Sequence, residues 1–265
     1  MSRRLRLDSE LVRRGLARSR DQAADLIAAG RVAVGGQVAA KPASQVATDA
    51  AITVSKPPDE PGYVSRGGYK LAGALAAFDG IVVAGRLCLD AGASTGGFTD
   101  VLLRAGAAHV VAIDVGYGQL AWSLRTDDRV TALDRVNVRS LAPEQVAPPP
   151  GLVVADLSFI SLTLVLPALV ACAEPEADFV VMVKPQFEVG RDLVGAGVVR
   201  DPQLRARAVA DVAHAAGELG LGVAGVTASP LPGPSGNVEY FLWLRRGAPP
   251  LAEAALRQAI EAGPQ

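Results

Sequence analysis

The sequence predicts an α/β protein in which a mostly parallel β-sheet forms the body and a small α/β domain precedes it. Short apolar runs alternate with helix-like segments throughout residues 65–265, the pattern of a parallel sheet with helices on both faces. A proline-rich segment, 57–64, separates this body from residues 1–56. Half of the 265 residues are apolar, so the chain can bury a large core, and global disorder is excluded.

The first domain is predicted to contain two short helices, a hairpin and one further strand. The first helix covers residues 7–16 and carries leucines on one face. Ser19-Arg-Asp-Gln22 is the pattern of a capping box, so the second helix begins there. Residues 31–39 form the hairpin, which turns at a pair of glycines, and residues 51–54 form the strand that closes the domain.

Charge is distributed unevenly along the chain, although the net charge is only −1. Residues 1–60 carry 10 Arg/Lys against 7 Asp/Glu, whereas residues 61–265 carry 16 against 20. A basic head on a mildly acidic body suggests a polyanion as the partner of the head. A solvated helix face in an arginine-rich chain explains the same charges equally well.

The motifs of the head point to one kind of polyanion. Arg6-Leu-Asp with Leu11-Val-Arg-Arg-Gly, followed by Ser19-Arg-x-x-Ala-x-x-Leu-Ile-x-x-Gly-Arg-Val, resembles the small RNA-binding module of ribosomal protein S-four and pseudouridine synthases. The resemblance implies that the head binds structured RNA, which proteins recognise largely by shape and backbone. The residues expected to contact RNA are Arg6, Arg18, Arg20 and Arg31, with Arg66 at the start of the body.

The body is predicted to contain seven strands, most of them parallel, and several connecting helices. Asp201 and Pro202 are a favourable N-cap and first residue for the helix 202–218. In an open sheet of this kind, ligands bind beyond the carboxyl ends of the strands. The expected strands are 87–90, 110–114, 130–133, 152–156, 179–184, 222–227 and 237–244, and the other helices are 97–105, 119–125, 162–172 and 251–262.

A glycine-rich loop follows the first of these strands. In Asp90-Ala-Gly-Ala-Ser-Thr-Gly-Gly-Phe-Thr99 the glycines allow a ligand to approach the backbone, and Asp114, after the second strand, can accept the ribose hydroxyls of a nucleoside cofactor. The loop lacks the lysine of a nucleotide triphosphatase and the Gly-x-Gly-x-x-Gly of a dinucleotide site. It resembles the loop of the FtsJ-like methyltransferases, which implies S-adenosyl-L-methionine as cofactor. The expected cofactor contacts are Asp90, Gly92, Ala93, Ser94, Thr95, Gly96, Gly97, Phe98, Asp114, Asp134 and Asn137.

Two of the four lysines lie where the active site is expected. Lys184 ends a buried strand, Asp156 ends the strand before it, and Lys70 opens a helix ahead of the first strand. Glu239 reaches the same edge if the final strand is antiparallel. A surface charge or a helix cap would explain each residue alone. Together they match the Lys-Asp-Lys-Glu tetrad of RNA ribose 2′-O-methyltransferases, which implies that these four residues are catalytic.

Taken in order, the motifs of both domains resemble the TlyA family, ribosomal RNA cytidine-2′-O-methyltransferases that were historically called hemolysin A. The further motifs that match are Ser65-Arg-Gly-Gly-Tyr-Lys, Ala155-Asp-Leu-Ser-Phe-Ile-Ser, Val183-Lys-Pro-Gln-Phe-Glu and Gly236-Asn-Val-Glu-Tyr. The resemblance implies a Rossmann-like methyltransferase that modifies cytidine ribose in small- and large-subunit rRNA. Our mechanistic hypothesis is an in-line attack of the 2′-oxygen on the sulfonium methyl, with neutral Lys184 as base.

Three alternatives remain open: a 2′-O-methyltransferase for another RNA or nucleotide, a non-catalytic RNA-binding assembly factor, and a pore-forming hemolysin. The last needs a membrane element, and the stretch considered for it is Leu157–Ala173, 17 residues without a charge. Pro167 interrupts that stretch, so a strand end, a loop and a buried helix explain it better. Two scattered cysteines and two histidines predict neither a disulfide scaffold nor a metal site, and the charged N-terminus predicts a cytoplasmic protein.

Overall fold

The computed structural model describes residues 4–17, 19–55, 61–195, 197–233 and 235–263. It divides into two compact units, Met1–Gly62 and Tyr63–Gln265. The predicted linker, 57–64, spans this division, and its residues 57–60 lie outside the described part of the chain. The domain limits 1–56 and 65–265 stay predictions.

The small unit combines two helices with two short sheets. Its core is made of the leucines of the first helix, an isoleucine of the second and valines of the strands. Ser19 caps the second helix as predicted, because its Oγ accepts a hydrogen bond from the Gln22 amide. The elements are β1 (Arg4–Arg6), α1 (Leu7–Arg13), α2 (Arg20–Ala28), β2 (Val32–Val34), β3 (Gln37–Val38), β4 (Gln45–Ala47) and β5 (Ile52–Val54).

One sheet of the small unit was not predicted. β2 pairs with β3 in the expected hairpin and with β5 on its other side, whereas β1 pairs antiparallel with β4 to form a second sheet. β1 and β4 have three residues each, which is too short for an alternating apolar pattern to stand out. Their pairing places Arg6 directly before α1.

The large unit is a seven-stranded sheet with helices on both faces. Its elements are α3 (Arg66–Ala77), β6 (Leu87–Ala91), α4 (Gly97–Arg104), β7 (His109–Asp114), α5 (Trp122–Arg125), β8 (Val130–Asp134), β9 (Leu152–Ala155), α6 (Leu166–Cys172), β10 (Asp178–Val183), α7 (Pro185–Glu188), α8 (Pro202–Glu218), β11 (Gly222–Ala228), β12 (Tyr240–Arg245) and α9 (Glu253–Ala262).

The sheet has the order β11-β12-β10-β9-β6-β7-β8, and β12 is antiparallel to both neighbours while the other pairs are parallel. The predicted α/β class is therefore confirmed, and β12 has the antiparallel direction on which the expected position of Glu239 depended. Two apolar clusters cover the two faces of the sheet. The carboxyl ends of β6, β7, β9 and β10 and the start of β12 meet at one edge.

Element boundaries differ from the prediction at two places that affect the site. The last strand begins at Tyr240 and not at residue 237, since the Asn237 side chain is bonded to the backbone of Val199 and Gly197. The expected helix 162–172 is a short 3₁₀ turn followed by α6, which has Pro167 in its first turn. The uncharged stretch 157–173 is therefore a loop, a turn and a short helix. Among the described residues, no helix is both long and apolar enough to span a bilayer.

Candidate active site

The glycine-rich loop lies across the ends of three strands. The amides of Gly92 and Ala93 donate to the Ile113 carbonyl at the end of β7. Gly92 has a positive φ of 87°, and a Cβ there would collide with the Asp156 carbonyl after β9. Only glycine allows the loop to come this close to β9. The glycine-rich loop therefore lies directly against Asp156, one of the four predicted catalytic residues.

The next glycines serve packing between protein elements. A Cβ at Gly96, which has a φ of 95°, would meet the side chains of Leu120 and Leu124. One at Gly97 would meet Ser65 and the Gly68 amide at the start of α3. Their side-chain space is therefore occupied by the protein itself, and α3 and α4 begin side by side. This contact holds Lys70, in the second turn of α3, beside the glycine loop.

Asp114 fastens the loop from the end of β7. Its Oδ2 accepts the Ser94 amide at 2.8 Å, and its Oδ1 accepts the Gly116 amide at 2.7 Å. A carboxylate oxygen can accept more than one hydrogen bond, so these contacts leave capacity for a ligand hydroxyl. The residue expected to bind a ribose thus also orients the loop.

Asp90 lies fully buried beneath the loop. Thr99 donates to its Oδ2 at 2.7 Å, while Oδ1 has no hydrogen-bond partner. Burial raises the pKa of this carboxyl to about 7; the Thr99 hydrogen bond opposes the rise, and the nearby Asp156 carboxylate adds to it. An unpartnered buried acceptor under a glycine cradle fits a ligand that carries a polar or cationic group.

Two cavities adjoin the loop and share Gly92, Ser94 and Asp156. The first, of about 360 Å³, extends toward Lys70, and the second, of about 480 Å³, extends toward Asp114. Both volumes fall in the range of small-molecule sites. The remaining loop residues on the walls of the first cavity are Ala93, Thr95, Gly97 and Phe98.

The other two predicted cofactor contacts lie at the Asp114 side. Asn137 lines the second cavity, and its Oδ1 caps a short turn by accepting the Arg139 amide. Asp134 lines a small adjoining cavity and is bound to Arg125 at 2.8 Å, which lowers the pKa of that carboxyl. Both side chains therefore line cavities that Asp114 also lines, but they already have protein partners.

The four tetrad residues form two ion pairs. Lys70 Nζ lies 2.5 Å from Glu239 Oε2, and both side chains are buried. Lys184 Nζ lies 2.6 Å from Asp156 Oδ1 and donates to Ser158 Oγ at 2.9 Å. Asp156 lines both loop cavities. Each lysine is thus oriented by a carboxylate at the edge of the cofactor cleft.

A third cavity, of about 410 Å³, opens on the other side of Lys184. Glu239 and Ser158 also line it, and Phe159 and Phe187 contribute aromatic rings with centroids 5.1 Å apart. Phe159 is 91% exposed and has a positive φ of 65°, which is uncommon for a bulky residue. The ion pair of Lys184 and Asp156 therefore lies between the loop cavities and an aromatic cavity.

Three residues that contribute to this region were not predicted from the sequence. Ser158 and Phe159 lie inside a motif from which only Asp156 was selected. Glu188 accepts hydrogen bonds from Ser161 Oγ at 2.5 Å and from the Leu162 amide at 2.9 Å, so it anchors the far end of the same loop. Burial raises the pKa of Glu188. Their position within the quoted motifs was the available signal.

The predicted RNA-contacting arginines have different surroundings. Arg6 and Arg20 both bind the Asp8 carboxylate, and Arg31 Nε donates to the Ser55 carbonyl. In the large unit, the exposed Arg66 donates to the Pro232 carbonyl at 3.2 Å and lines the first loop cavity. Arg18 lies outside the described residues.

The described ranges of the chain contain no candidate metal site. No group of three or more His, Cys, Asp or Glu side chains there is arranged to hold a metal ion. Cys88 is a buried thiol whose pKa burial raises to about 12.

Comparisons with known proteins agree with this division of the chain. The family model for FtsJ-like methyltransferases matches residues 63–246, and that for the S4 domain matches residues 5–52. The first covers the sheet, the glycine loop and all four tetrad residues. The second covers both helices of the small unit and the arginines Arg6, Arg18, Arg20 and Arg31 that were expected to contact RNA.

The chain is 63% identical, over all of both proteins, to the 16S/23S rRNA (cytidine-2′-O)-methyltransferase TlyA of Mycobacterium tuberculosis. It is 36% identical to the 23S rRNA (cytidine-2′-O)-methyltransferase TlyA of Campylobacter jejuni, over 68% of this chain and 70% of the relative. A solved structure from Streptococcus thermophilus, described as a hemolysin, is 36% identical with a TM-score of 0.76 and covers 98% of this chain and 96% of its own. The chain therefore belongs to the TlyA family of FtsJ-like methyltransferases.

Proposed function

We propose that this protein transfers the methyl group of S-adenosyl-L-methionine to the ribose 2′-oxygen of cytidines in small- and large-subunit rRNA. The observation that carries the proposal is the pair of lysine–carboxylate contacts beside the glycine-loop cleft. The names of the Mycobacterium and Campylobacter relatives support the substrate, and the former supports both subunits. A ribosomal substrate implies that the enzyme acts in the cytoplasm.

The cofactor fits the loop side of the site. S-adenosyl-L-methionine, when bound, supplies an electrophilic methyl group on a positively charged sulfur. Asp114 would hold its ribose, and the loop backbone from Gly92 to Thr95 would hold its amino-acid part. The buried, unpartnered Oδ1 of Asp90 supports a cationic ligand nearby, since a carboxylate stabilises positive charge at short range.

The target nucleotide fits the third cavity. Phe159 presents an exposed ring at its wall, and stacking on an aromatic ring is the usual way in which proteins hold an unpaired base. A base on Phe159 would bring its own ribose toward Lys184 and Glu239. The 2′-hydroxyl would then lie between the target cavity and the cofactor cleft.

The tetrad supplies the proton chemistry. The Lys184 ammonium, paired with Asp156, first releases one proton to solvent; the amine then accepts the proton of the 2′-hydroxyl at Nζ, while Asp156 and Ser158 keep that nitrogen aimed at the ribose. The bound cofactor would supply the methyl carbon to which the 2′-oxygen bonds, and its sulfur would leave with the electron pair of the carbon–sulfur bond. Lys70, held by Glu239, stabilises negative charge that develops on the 2′-oxygen. Asp156 then pairs with the ammonium formed at Lys184.

The test is methyl transfer from labelled S-adenosyl-L-methionine to separated ribosomal subunits and to protein-free rRNA. The wild-type protein is expected to give 2′-O-methylcytidine, identified by nuclease digestion and mass spectrometry. Methylation of a base, or no incorporation into any of these substrates despite cofactor binding, would contradict the proposal.

Two variants separate the roles of Lys184. Lys184→Ala is expected to abolish transfer with cofactor affinity unchanged within about threefold. Lys184→Arg keeps the positive charge and the contact with Asp156 but cannot act as a base, since arginine stays protonated. An active Lys184→Arg variant would remove Lys184 as the base and leave it an electrostatic role.

A further inference from the structure

Two arginines of the small unit share one buried carboxylate. Asp8 accepts Arg6 Nε at 3.1 Å and Arg6 Nη2 at 2.7 Å, and it accepts Arg20 Nη2 at 3.1 Å. The Asp8 side chain is 5% exposed, whereas Arg6 is 44% and Arg20 is 59% exposed. Asp8 Oδ1 also accepts the Ser9 amide at 2.7 Å and the Ser9 hydroxyl at 3.2 Å. The carboxylate is thus fixed to α1 while both guanidiniums face the surface.

The shared acceptor sets the position of both arginines. Because Nη2 of each binds the same Asp8 oxygen, the two guanidiniums lie side by side, although Arg6 ends β1 and Arg20 begins α2. A guanidinium has five N–H donors, more than Asp8 accepts from either residue. The remaining donors form a surface with two positive charges, which is suited to phosphate oxygens.

The second buried acid of α1 is used differently. Glu10 has no exposed side-chain surface and binds Arg13 at 2.6 Å and Arg14 at 2.7 Å. Arg14 is 23% exposed, and it also donates to the Thr48 and Ala50 carbonyls. Glu10 therefore ties α1 to the segment that precedes β5, whereas Asp8 holds two arginines that remain available to a ligand.

We propose that Asp8 is a positioning residue for RNA binding, which holds Arg6 and Arg20 together as one contact for the phosphate backbone of the substrate RNA. This inference rests on the proposed function. It gives a role in RNA binding to a negatively charged residue that lies within a surface for a polyanion. An unheld arginine loses side-chain entropy when it binds a phosphate. Asp8 removes much of that loss by fixing both arginines beforehand.

The proposal and simple electrostatics predict opposite signs. If only net charge mattered, Asp8→Asn would remove one negative charge and so raise the net charge of the small unit by one. RNA binding would then become tighter and its salt dependence steeper. If Asp8 positions the arginines, the same substitution weakens binding about tenfold, since two side chains lose their common anchor. It also reduces the magnitude of the slope of log K against log salt concentration by about one, which corresponds to the loss of one phosphate contact.

The experiment measures the dissociation constant of protein-free large-subunit and small-subunit rRNA at several salt concentrations. Asp8→Asn is compared with Glu10→Gln, which changes the charge of the same helix by the same amount. The Asp8 variant is expected to bind about tenfold more weakly, and its KM for rRNA rises while kcat and cofactor affinity stay unchanged. Glu10→Gln is expected to bind as tightly as the wild type or more tightly.

A second arm tests whether Asp8 acts through the two arginines. Asp8→Asn is introduced into an Arg6→Gln, Arg20→Gln background, where it should have no further effect on RNA affinity. The melting temperature of each variant separates loss of folding from loss of positioning. Tighter binding of Asp8→Asn, equal weakening by Glu10→Gln, or an Asp8 effect that persists in the double-arginine background would overturn the inference.

RNA binding is measured without turnover, so the two proposals can fail separately. Wild-type protein that binds rRNA without methylating it would contradict the proposed function and leave the Asp8 comparison valid. Wild-type protein that methylates rRNA, with Asp8→Asn binding at least as tightly as the wild type, would contradict only the role of Asp8. Wild-type protein with no affinity for either rRNA would overturn the role of Asp8 as well.

Discussion

The arginine–carboxylate pairs at α1 of the small unit and the lysine–carboxylate tetrad of the large unit arrange the same kinds of charge in opposite ways. In the small unit the carboxylates of Asp8 and Glu10 are buried and most of their arginine partners stay about half exposed. In the large unit the lysines themselves are buried, and Lys70 is paired with a carboxylate that is 1% exposed. Exposed cations on buried anchors can hold a polyanion, whereas buried lysines in paired contacts can take part in proton transfer. Burial of the cation thus distinguishes a binding surface from a reaction site.

Desolvation explains why the two arrangements should differ in energy. A half-exposed ion pair is screened by water and contributes little to stability. Removal of one partner from a buried pair leaves an uncompensated charge and is strongly destabilising. Substitutions in the buried tetrad should therefore reduce both stability and activity. Substitutions at the Asp8 cluster of the small unit should change RNA binding alone.

The largest effect is expected for Glu239→Ala. It leaves the Lys70 ammonium buried without its carboxylate, so the free energy of unfolding should fall by about 3–5 kcal/mol, with methyl transfer lost. Urea denaturation and turnover measure the two effects.

An apolar pair supplies the control for that substitution. Lys70→Met combined with Glu239→Leu removes both charges from the same space, so most of the stability should return while methyl transfer stays absent. Activity in the apolar double variant would mean that the buried pair is structural and would undo the contrast between the two units.

The second effect concerns pH and the buried carboxyl of Asp90. Its pKa of about 7 lies above the value near 3.9 of an exposed aspartate, so the folded state holds a proton that the unfolded state releases between about pH 4 and 7. This contribution to stability is fully present below pH 4 and is lost as the pH rises through 7. Asp90→Asn stays neutral and keeps an acceptor for Thr99, so at pH 8 it should be more stable than the wild type by about 1–3 kcal/mol.

Denaturation of both proteins from pH 4 to 8 checks this sign. The difference between variant and wild type should be near zero at pH 4, widen up to pH 7 and then stay constant. A Thr99→Val variant serves as control, because it removes the hydrogen bond that opposes the rise in the Asp90 pKa and should move the transition to higher pH. A difference that does not depend on pH would show that Asp90 is ionised in the folded state.

The third effect concerns Phe159, an exposed residue of the large unit whose loss should affect activity and not stability. Phe159→Ala removes an exposed ring, so the free energy of unfolding should change by less than about 1 kcal/mol, mainly through the lost contact with Phe187. If the ring stacks on the target base, kcat/KM for rRNA should fall about tenfold or more with cofactor affinity unchanged. Phe159→Tyr keeps the ring and should restore activity, whereas equal loss in both variants would argue against stacking.

The sequence predicted the large unit better than the small one, and the reason is the range of the interactions. Strand ends are visible as local apolar runs, and an open parallel sheet brings their carboxyl ends to one edge, so Asp156 and Lys184 were expected together. Glu239 followed from the antiparallel last strand. The prediction could not extend to Phe159, since its positive φ depends on how the loop is held at both ends.

In the small unit the relevant contacts are not periodic. Arg6 and Arg20 were expected to face RNA directly, and the sequence offered no sign that both share Asp8. That ion pair depends on the β1–β4 pairing, which positions Arg6, and on the contact between α1 and α2, which brings Arg20 to it. Neither interaction leaves an apolar pattern, because the residues concerned are charged and the strands are short.

The smallest effect is expected for Arg13→Ala in the small unit. Arg13 is 53% exposed, and Glu10 keeps Arg14 as its second partner, so no buried charge is left unpaired. The melting temperature should stay within about 1–2 °C of the wild type, and raising the salt concentration should remove even that difference. Arg14→Ala is the matched comparison, because it also removes the contacts to the Thr48 and Ala50 carbonyls and should destabilise more. If Arg13→Ala proved as destabilising as Glu239→Ala, burial of the cation would not be what separates the two units.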